Sequence, residues 1–145
     1  MTKGIFEIGE IGTLEVIKHR QFRDSRGVLV PIEIPSAIPF PVVRLFWVRD
    51  VPAGTGRGGH GHKVCRQYMI CVTGGVLVDV TDGKISRRFE LTAGDALDVQ
   101  PGLFASETYQ GPDSTLLVLC DRPFEAEDYL DNLEDLQVFR AGGRG

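Results

Sequence analysis

The stretch that decides the fold is Gly54-Thr-Gly-Arg-Gly-Gly-His60-Gly-His62-Lys-Val-Cys-Arg-Gln67, which runs on to Gly74. Its two histidines are separated by one residue and follow a glycine-rich approach. In an extended strand alternate side chains share a face, so His60 and His62 project to one side with their Cα atoms roughly 6.6 Å apart. Histidine titrates near neutral pH and is the commonest metal ligand. The stretch therefore predicts a strand that carries acid–base chemistry or a metal.

The remainder of the chain predicts an all-β domain. Its apolar residues recur with a period of two between closely spaced turn signals, which is typical of a sandwich or barrel. Residues 76–81 and 85–91 are predicted to form a hairpin, because Asp82-Gly83 between them favours a type I′ turn. Acidic residues and helical spacing over residues 125–136 predict a short C-terminal helix. A length of 145 residues fits one domain, and we expect the tail 141–145 to be frayed.

Composition excludes several classes of partner. The formal net charge of -4 and pI near 5.3 argue against nucleic acid or an anionic membrane, which favour basic surfaces. No stretch approaches the roughly 20 apolar residues of a membrane span, and no signal-peptide pattern is present. Cys65, Cys71 and Cys120 are an odd number without CxxC spacing, which predicts reduced, buried thiols. We therefore expect a cytoplasmic protein.

The spacing of the glycines and histidines resembles the first motif of the cupin superfamily. Five residues separate Gly54 from His60-x-His62, four more precede Gln67, and six precede Gly74. The resemblance implies a jelly-roll β-barrel, in agreement with the strand pattern. Gln67 stands where these proteins usually have glutamate, and Ser106 stands where metal-binding cupins have a further histidine. Two imidazoles and a neutral amide are a poor ligand set, so we expect no metal and no cofactor.

A closer resemblance, covering most of the chain, is to the nucleotide-sugar 3,4-ketoisomerases, cupins that act on dTDP-4-oxo-6-deoxyglucose. The matching residues are Asp24-x-Arg26-Gly27, Pro39-Phe40, Arg44, the run from Arg57 to Lys63, Gln67, Asp82-Gly83 and Asp128-Tyr129. The resemblance implies a small-molecule nucleotide-sugar substrate, metal-free catalysis and a homodimer. Exchange of N-terminal strands between protomers is one way in which such a dimer covers the edges of its sheets.

The resemblance also assigns roles to individual residues. Moving a ketone from C4 to C3 through an enediol requires an acid and a base. By resemblance, His62 is the base at C3 and His60 is its partner. Gln67 is a candidate donor to the developing enediolate. Arg44 and Arg57 are candidates for the substrate diphosphate, because guanidinium groups bind phosphate oxygens in pairs.

Departures from the family pattern keep other functions open. The ketoisomerase family usually has a tyrosine after Arg44, whereas this chain reads Leu45-Phe46-Trp47. Phe104 replaces a usual tryptophan and is expected to contact the substrate. Tyr109 or Glu107 is a candidate replacement acid, and Tyr109 is expected to bind substrate. The alternatives are a non-catalytic nucleotide-sugar-binding cupin and a metal-dependent cupin enzyme acting on another small molecule.

Overall fold

The computed structural model describes residues 8–142. Twelve strands, two 3-10 helices and one α-helix make up the regular structure of this range. The strands are β1 Ile17–Lys18, β2 Phe22–Asp24, β3 Gly27–Leu29, β4 Arg44–Val48, β5 Gly56–His62, β6 Gln67–Thr73, β7 Gly75–Thr81, β8 Ser86–Thr92, β9 Asp95–Val99, β10 Phe104–Tyr109, β11 Thr115–Cys120 and β12 Tyr129–Leu130. The 3-10 helices span Ile11–Thr13 and Ala126–Asp128, and the α-helix, α1, spans Leu133–Arg140.

Two five-stranded antiparallel sheets form the body of the fold. The first has the strand order β1-β9-β6-β11-β4 and the second β12-β5-β10-β7-β8, whereas β2 and β3 pair only with each other. Side chains that alternate along these strands meet between the sheets in one apolar cluster, as period-two patterning requires. Val76, Val78 and Val80, for example, are at most 1% exposed. The predicted all-β jelly-roll architecture is confirmed.

The hairpin of β7 and β8 is confirmed, but its turn differs from the predicted one. Gly83 has a positive φ of 95°, whereas Asp82 does not share this conformation. The Asp82 carboxylate accepts hydrogen bonds from the backbone N–H groups of Lys84 and Ile85, each at 2.8 Å. The turn is therefore closed by an aspartate side chain, and the type I′ prediction is wrong.

The C-terminal segment also departs from the prediction of one helix over residues 125–136. Tyr129 and Leu130 form β12 and pair with β5, with Tyr129 opposite His62. The α-helix begins only after Asn132, whose side chain accepts a hydrogen bond from the N–H of Asp135 at 2.8 Å. Pairing with a distant strand outweighs local helical spacing here. Of the tail that was expected to fray, residues 143–145 lie outside the described range.

Within the described range, no helix is both long and apolar enough to span a membrane.

Candidate active site

The two histidines lie on β5, between β12 on one side and β10 on the other. The first four residues of β5 are exposed, His60 is half-buried and His62 is buried. Gly61 between them permits a close approach of the neighbouring chain, because a Cβ there would stand 2.6 Å from the carbonyl oxygen of Leu103. Only glycine fits such a contact. The strand segment that carries both imidazoles therefore packs directly against Leu103, the residue before β10.

His62 forms a buried pair with Asp128. Its Nδ1 lies 2.8 Å from Asp128 Oδ2, and the N–H of Val64 donates to Asp128 Oδ1 at 2.7 Å. An ionised carboxylate only accepts hydrogen bonds, so Nδ1 is assigned as the donor. Burial raises the pKa of Asp128, but the hydrogen bonds from His62 and Val64 outweigh it, and the net pKa is lowered. His62 Nε2 is left buried and unpartnered among the described residues.

His60 contacts His62 and the ring of Tyr129. The ring centroids of the two histidines are 5.3 Å apart, and Tyr129 lies 4.8 Å from His60 and 4.5 Å from His62. Burial, and then the neighbouring His62, lower the pKa of His60. A lowered pKa keeps the imidazole neutral near pH 7, which is the form that accepts a proton.

A cavity of about 80 Å³ opens beside His60. The polar part of its lining consists of Arg57, His60 and Gln67, together with Glu107. Apolar side chains of β4, β6 and β11 complete the lining. The lining residues are Arg57, Gly58, His60, Gln67, Glu107, Phe46, Val48, Met69, Leu116 and Val118. Three predicted site residues, Arg57, His60 and Gln67, are therefore brought together.

The amide of Gln67 and the guanidinium of Arg44 both reach Cys120. Gln67 Nε2 lies 3.6 Å and Arg44 Nη2 lies 3.7 Å from Cys120 Sγ. Hydrogen bonding from Cys65, together with Arg44, lowers the pKa of the Cys120 thiol against the effect of burial. Arg44 also lies over the rings of Phe46 and Phe124, at 5.2 and 5.8 Å. Arg44 thus points at an interior thiol, whereas Arg57 is exposed.

Phe104 and Tyr109, which the sequence analysis expected to bind the substrate, do not line this cavity. Phe104 pairs with Gly61 rather than with a histidine, and its ring packs against Leu130 and the helix α1. Tyr109 is 0% exposed, and its hydroxyl has no partner among the described residues. An outward-facing Phe104 and a fully enclosed Tyr109 are poorly placed to contact a ligand, so both lie outside the substrate-binding set proposed below.

A cluster of possible metal donors includes His62. One donor atom from each of His62, Cys65 and Asp128 lies within 4.8 Å of the others, and all three residues are buried. Of these three residues only His62 stands at a cupin metal position; Cys65 and Asp128 do not. Both Asp128 oxygens already accept hydrogen bonds, so the contacts in hand describe an imidazole oriented by a carboxylate.

Two buried acids of this site, Asp128 and Glu107, have no role that the sequence pattern predicts. Asp128 was noted only as part of a matching dipeptide, and Glu107 only as an alternative to Tyr109. Both are at most 8% exposed. The spacing of His60 and His62 gives no signal for either acid, because Asp128 is 66 residues from the histidine that it contacts.

Comparison with known proteins identifies the family. The family model "FdtA: WxcM-like, C-terminal" matches residues 13–141, which is most of the chain. The chain belongs to this family. Family membership agrees with the resemblance found from the sequence.

Similar proteins in other organisms have been characterised or solved. The TDP-4-oxo-6-deoxy-alpha-D-glucose-3,4-oxoisomerase of Aneurinibacillus thermoaerophilus is 29% identical over 128 residues, covering 88% of this chain and 92% of that protein. The structure of QdtA, a sugar 3,4-ketoisomerase from Thermoanaerobacterium thermosaccharolyticum in complex with TDP, has a TM-score of 0.82 at 25% identity and covers 92% of this chain and 99% of its own. A mutant of QdtA in complex with TDP-4-keto-6-deoxyglucose matches with a TM-score of 0.82 at 26% identity, covering 93% and 98%.

Proposed function

We propose that this protein is a 3,4-ketoisomerase that moves the carbonyl of a dTDP-linked 4-oxo-6-deoxy sugar from C4 to C3 through an enediol. The observation that carries the proposal is the pair of histidines beside a cavity, one of them held by a buried aspartate, in a chain of the FdtA family. The activities and ligands of the similar proteins support the same reaction.

The cavity favours His60 as the group that removes the C3 proton. The sequence resemblance gave this role to His62, but His60 lines the cavity, whereas His62 Nε2 is buried. The lowered pKa of His60 keeps it neutral and ready to accept the proton near pH 7. General-base catalysis of this kind contributes about 10²–10⁴-fold to a rate.

His62 acts as the second imidazole, with Asp128 fixing its orientation. A carboxylate bound to one ring nitrogen sets the tautomer and leaves the other nitrogen free for a proton. The ring contact with His60 places the second imidazole next to the first. We infer that the pair together returns a proton to C4, which completes the carbon-to-carbon transfer.

The other predicted site residues bind and polarise the substrate. The Gln67 amide lies in the cavity wall and supplies a hydrogen-bond donor for the enediolate oxygen. A cavity of about 80 Å³ accepts the reacting edge of a sugar, so the diphosphate lies outside it. Exposed Arg57 at the cavity wall is suited to that diphosphate. Arg44 contributes positive charge from the interior, beside Cys120.

The reaction is proposed to need no metal or other cofactor. Gln67, at one of the cupin ligand positions, carries a neutral amide in place of the usual carboxylate, and its Nε2 donates to Cys120, so it is a weaker cation ligand than glutamate. Enzyme treated with a chelator and assayed in chelated buffer should keep its full rate. A rate that disappears on chelation and returns with a divalent cation would favour the metal-dependent alternative.

Conversion of dTDP-4-oxo-6-deoxyglucose, followed by anion-exchange chromatography and mass spectrometry, tests the function. We expect an isomeric product of unchanged mass, and no product with His60→Asn. Binding of the nucleotide sugar without conversion would favour the alternative of a non-catalytic binding protein, in line with the missing tyrosine at Leu45-Phe46-Trp47.

We also propose that the protein is a homodimer. The hairpin of β2 and β3 pairs with neither sheet and exposes Val28 and Leu29 by 43% and 63%. Edge strand β4 exposes Leu45 and Trp47 by 51% and 61%. Exposed apolar groups on a free hairpin and a sheet edge are typical of a protein interface.

Light scattering with size-exclusion chromatography tests the dimer. Wild-type protein should elute with twice the chain mass, and Trp47→Asp should elute as a monomer. Val138→Asp, at a site on α1 with 53% exposure, is the matched control and should stay dimeric. A wild-type protein that is monomeric at micromolar concentration would contradict the proposal.

The three free cysteines, all buried, are consistent with work in the cytoplasm, where thiols stay reduced. We propose that location.

A further inference from the structure

Glu107 is a buried carboxyl group that the reaction described above does not use. Alternation along β10 turns Ala105, Glu107 and Tyr109 inward. The register sets Ala105 opposite His60 and Glu107 opposite Arg57. Glu107 is 8% exposed, and its side chain lines the same cavity as His60 and Gln67. The carboxyl group therefore faces the space in which the sugar is proposed to react.

The carboxyl group is held in place by packing rather than by hydrogen bonds. A Cβ on Gly58 would stand 2.7 Å from Glu107 Oε2 and 2.9 Å from Oε1, so both oxygens rest against the bare backbone of β5. No hydrogen bond or ion pair to another described residue holds either oxygen. A buried polar group without a partner costs free energy, so this arrangement is expected where a ligand supplies the partner.

The surroundings of Glu107 keep a substantial fraction of this carboxyl group protonated near pH 7. Burial raises the pKa of Glu107 to about 7, against a smaller opposing effect of Arg57. The other candidate acid of this strand, Tyr109, has a phenol whose pKa is raised further by burial and by Glu107. It is also fully enclosed, so it neither reaches the cavity nor releases a proton easily.

We propose that Glu107 carries the hydroxyl proton of the reaction from O3 to O4 of the sugar. This inference rests on the proposed ketoisomerase function and adds a catalytic residue to it. Conversion of a 4-ketone to a 3-ketone moves two protons: one from C3 to C4 and one from O3 to O4. The histidines account for the first of these, and a carboxylic acid with two oxygens is suited to the second.

The steps balance without any other reactant. His60 takes the C3 proton, the C3–C4 double bond forms, and the C4 carbonyl oxygen takes the proton of the Glu107 carboxylic acid to give a neutral enediol. The Glu107 carboxylate then accepts the O3 proton as the C3 carbonyl forms, and the histidine pair delivers a proton to C4. Glutamic acid and neutral imidazole are both regenerated.

Glu107→Gln tests the proposal, because glutamine keeps the shape and the hydrogen-bond donor but cannot exchange a proton. We expect kcat for conversion to fall about 100-fold or more, while Kd for TDP stays unchanged. Exchange of the C3 proton with D₂O should fall less than conversion, because the amide still stabilises the oxygen at C4. The decline of wild-type kcat above about pH 7 should disappear in the residual activity.

The outcomes separate this inference from the function on which it rests. Glu90→Gln, on the exposed face of β8, is the matched control and should have wild-type kcat and pH profile. A wild-type enzyme that converts the substrate, together with Glu107→Gln of equal kcat and the same pH profile, would overturn only the role of Glu107. Wild-type protein without conversion would overturn both. A melting temperature for Glu107→Gln at or above that of wild type shows that loss of rate is not loss of fold.

Discussion

The site contains two buried carboxyl groups, Glu107 in the lining of the cavity and Asp128 against His62, and their surroundings have opposite effects on them. Asp128, just before β12, accepts hydrogen bonds from His62 and from the N–H of Val64, and its pKa is lowered. Glu107, on β10, accepts none from the described residues, and burial raises its pKa to about 7. Environment therefore makes Asp128 an anion that orients an imidazole, and keeps Glu107 partly protonated near pH 7, so that it can give up a proton.

His60 lines the cavity beside Glu107 and contacts the ring of His62, so its removal should have the largest effect. In His60→Asn no imidazole lines the cavity to remove the C3 proton, and kcat should fall at least about 1000-fold. Steady-state kinetics with the nucleotide sugar gives the number. His19→Asn is the control, because His19 bonds the hydroxyl of Tyr68 at 2.8 Å and does not line the cavity. Near-normal activity of His60→Asn would return the base to His62.

Asp128→Asn removes the negative charge beside His62 and should lower kcat less than His60→Asn does. Asparagine no longer anchors the His62 N–H with a charge, and we expect kcat to fall about 10- to 100-fold, as for loss of a partner that orients a functional histidine. Loss of a buried acceptor should also cost about 1–3 kcal/mol in the free energy of unfolding, measured by urea denaturation at pH 7.

The pH dependence of stability provides a check on Asp128. Its folded-state pKa is depressed, so its stabilising contribution is present at neutral pH and is lost as the pH falls through the depressed pKa. The stability difference between wild type and Asp128→Asn should therefore shrink in strong acid. A difference that stays constant down to acid unfolding would mean that the carboxylate is not the stabilising group.

Glu107→Gln should have the opposite sign and make the protein more stable. The folded-state pKa of Glu107 is raised from 4.5 to about 7, so wild-type stability falls as the pH rises through this interval. Glutamine removes the cost of ionising a buried carboxyl group. The variant should gain at most about 3 kcal/mol in unfolding free energy at pH 8 and almost nothing at pH 4. Equal stability of the two proteins at pH 8 would refute the raised pKa.

Arg57→Gln should have the smallest effect on kcat at saturating substrate, and loss of its proposed contact with the diphosphate should appear as a higher KM. Arg57 opposes the rise in the Glu107 pKa, so its removal should raise that pKa further and extend activity into alkaline pH. At saturating substrate we expect kcat at pH 8 to rise about threefold relative to kcat at pH 6.5. A pH profile that is unchanged at saturation would show that the two side chains do not interact.

The sequence predicted the two histidines of this site better than it predicted Asp128. Alternation placed both histidines on one face, and the hairpin of β7 and β8 followed from local pattern alone. Asp128 reaches His62 only because Tyr129 and Leu130 pair with β5, and that long-range pairing replaced the first half of a predicted helix. The local sequence of residues 125–136 carries no signal for this pairing, because the partner strand β5 is distant in the sequence.

The remaining corrections have the same physical origin. Phe104 and Tyr109 belong to one strand, and alternation alone places them on opposite faces, but it does not say which face is enclosed. Glu107 shares the inward face with Tyr109, so alternation does not decide which of them is the replacement acid. The decision depends on how deeply each side chain is buried and on Gly58, against which the carboxyl group packs. The Asp82 turn differed because the Asp82 carboxylate accepts the N–H groups of Lys84 and Ile85, in addition to the backbone bond from the Asp82 N–H to the carbonyl of Ile85.

The most direct test of the central claim is proton NMR of dTDP-4-oxo-6-deoxyglucose incubated in D₂O with metal-stripped protein. We expect loss of the C3 proton signal, deuterium at C4 and the appearance of a 3-oxo sugar. A C3 proton signal that persists unchanged, in protein shown by titration to bind the same nucleotide sugar, would contradict it.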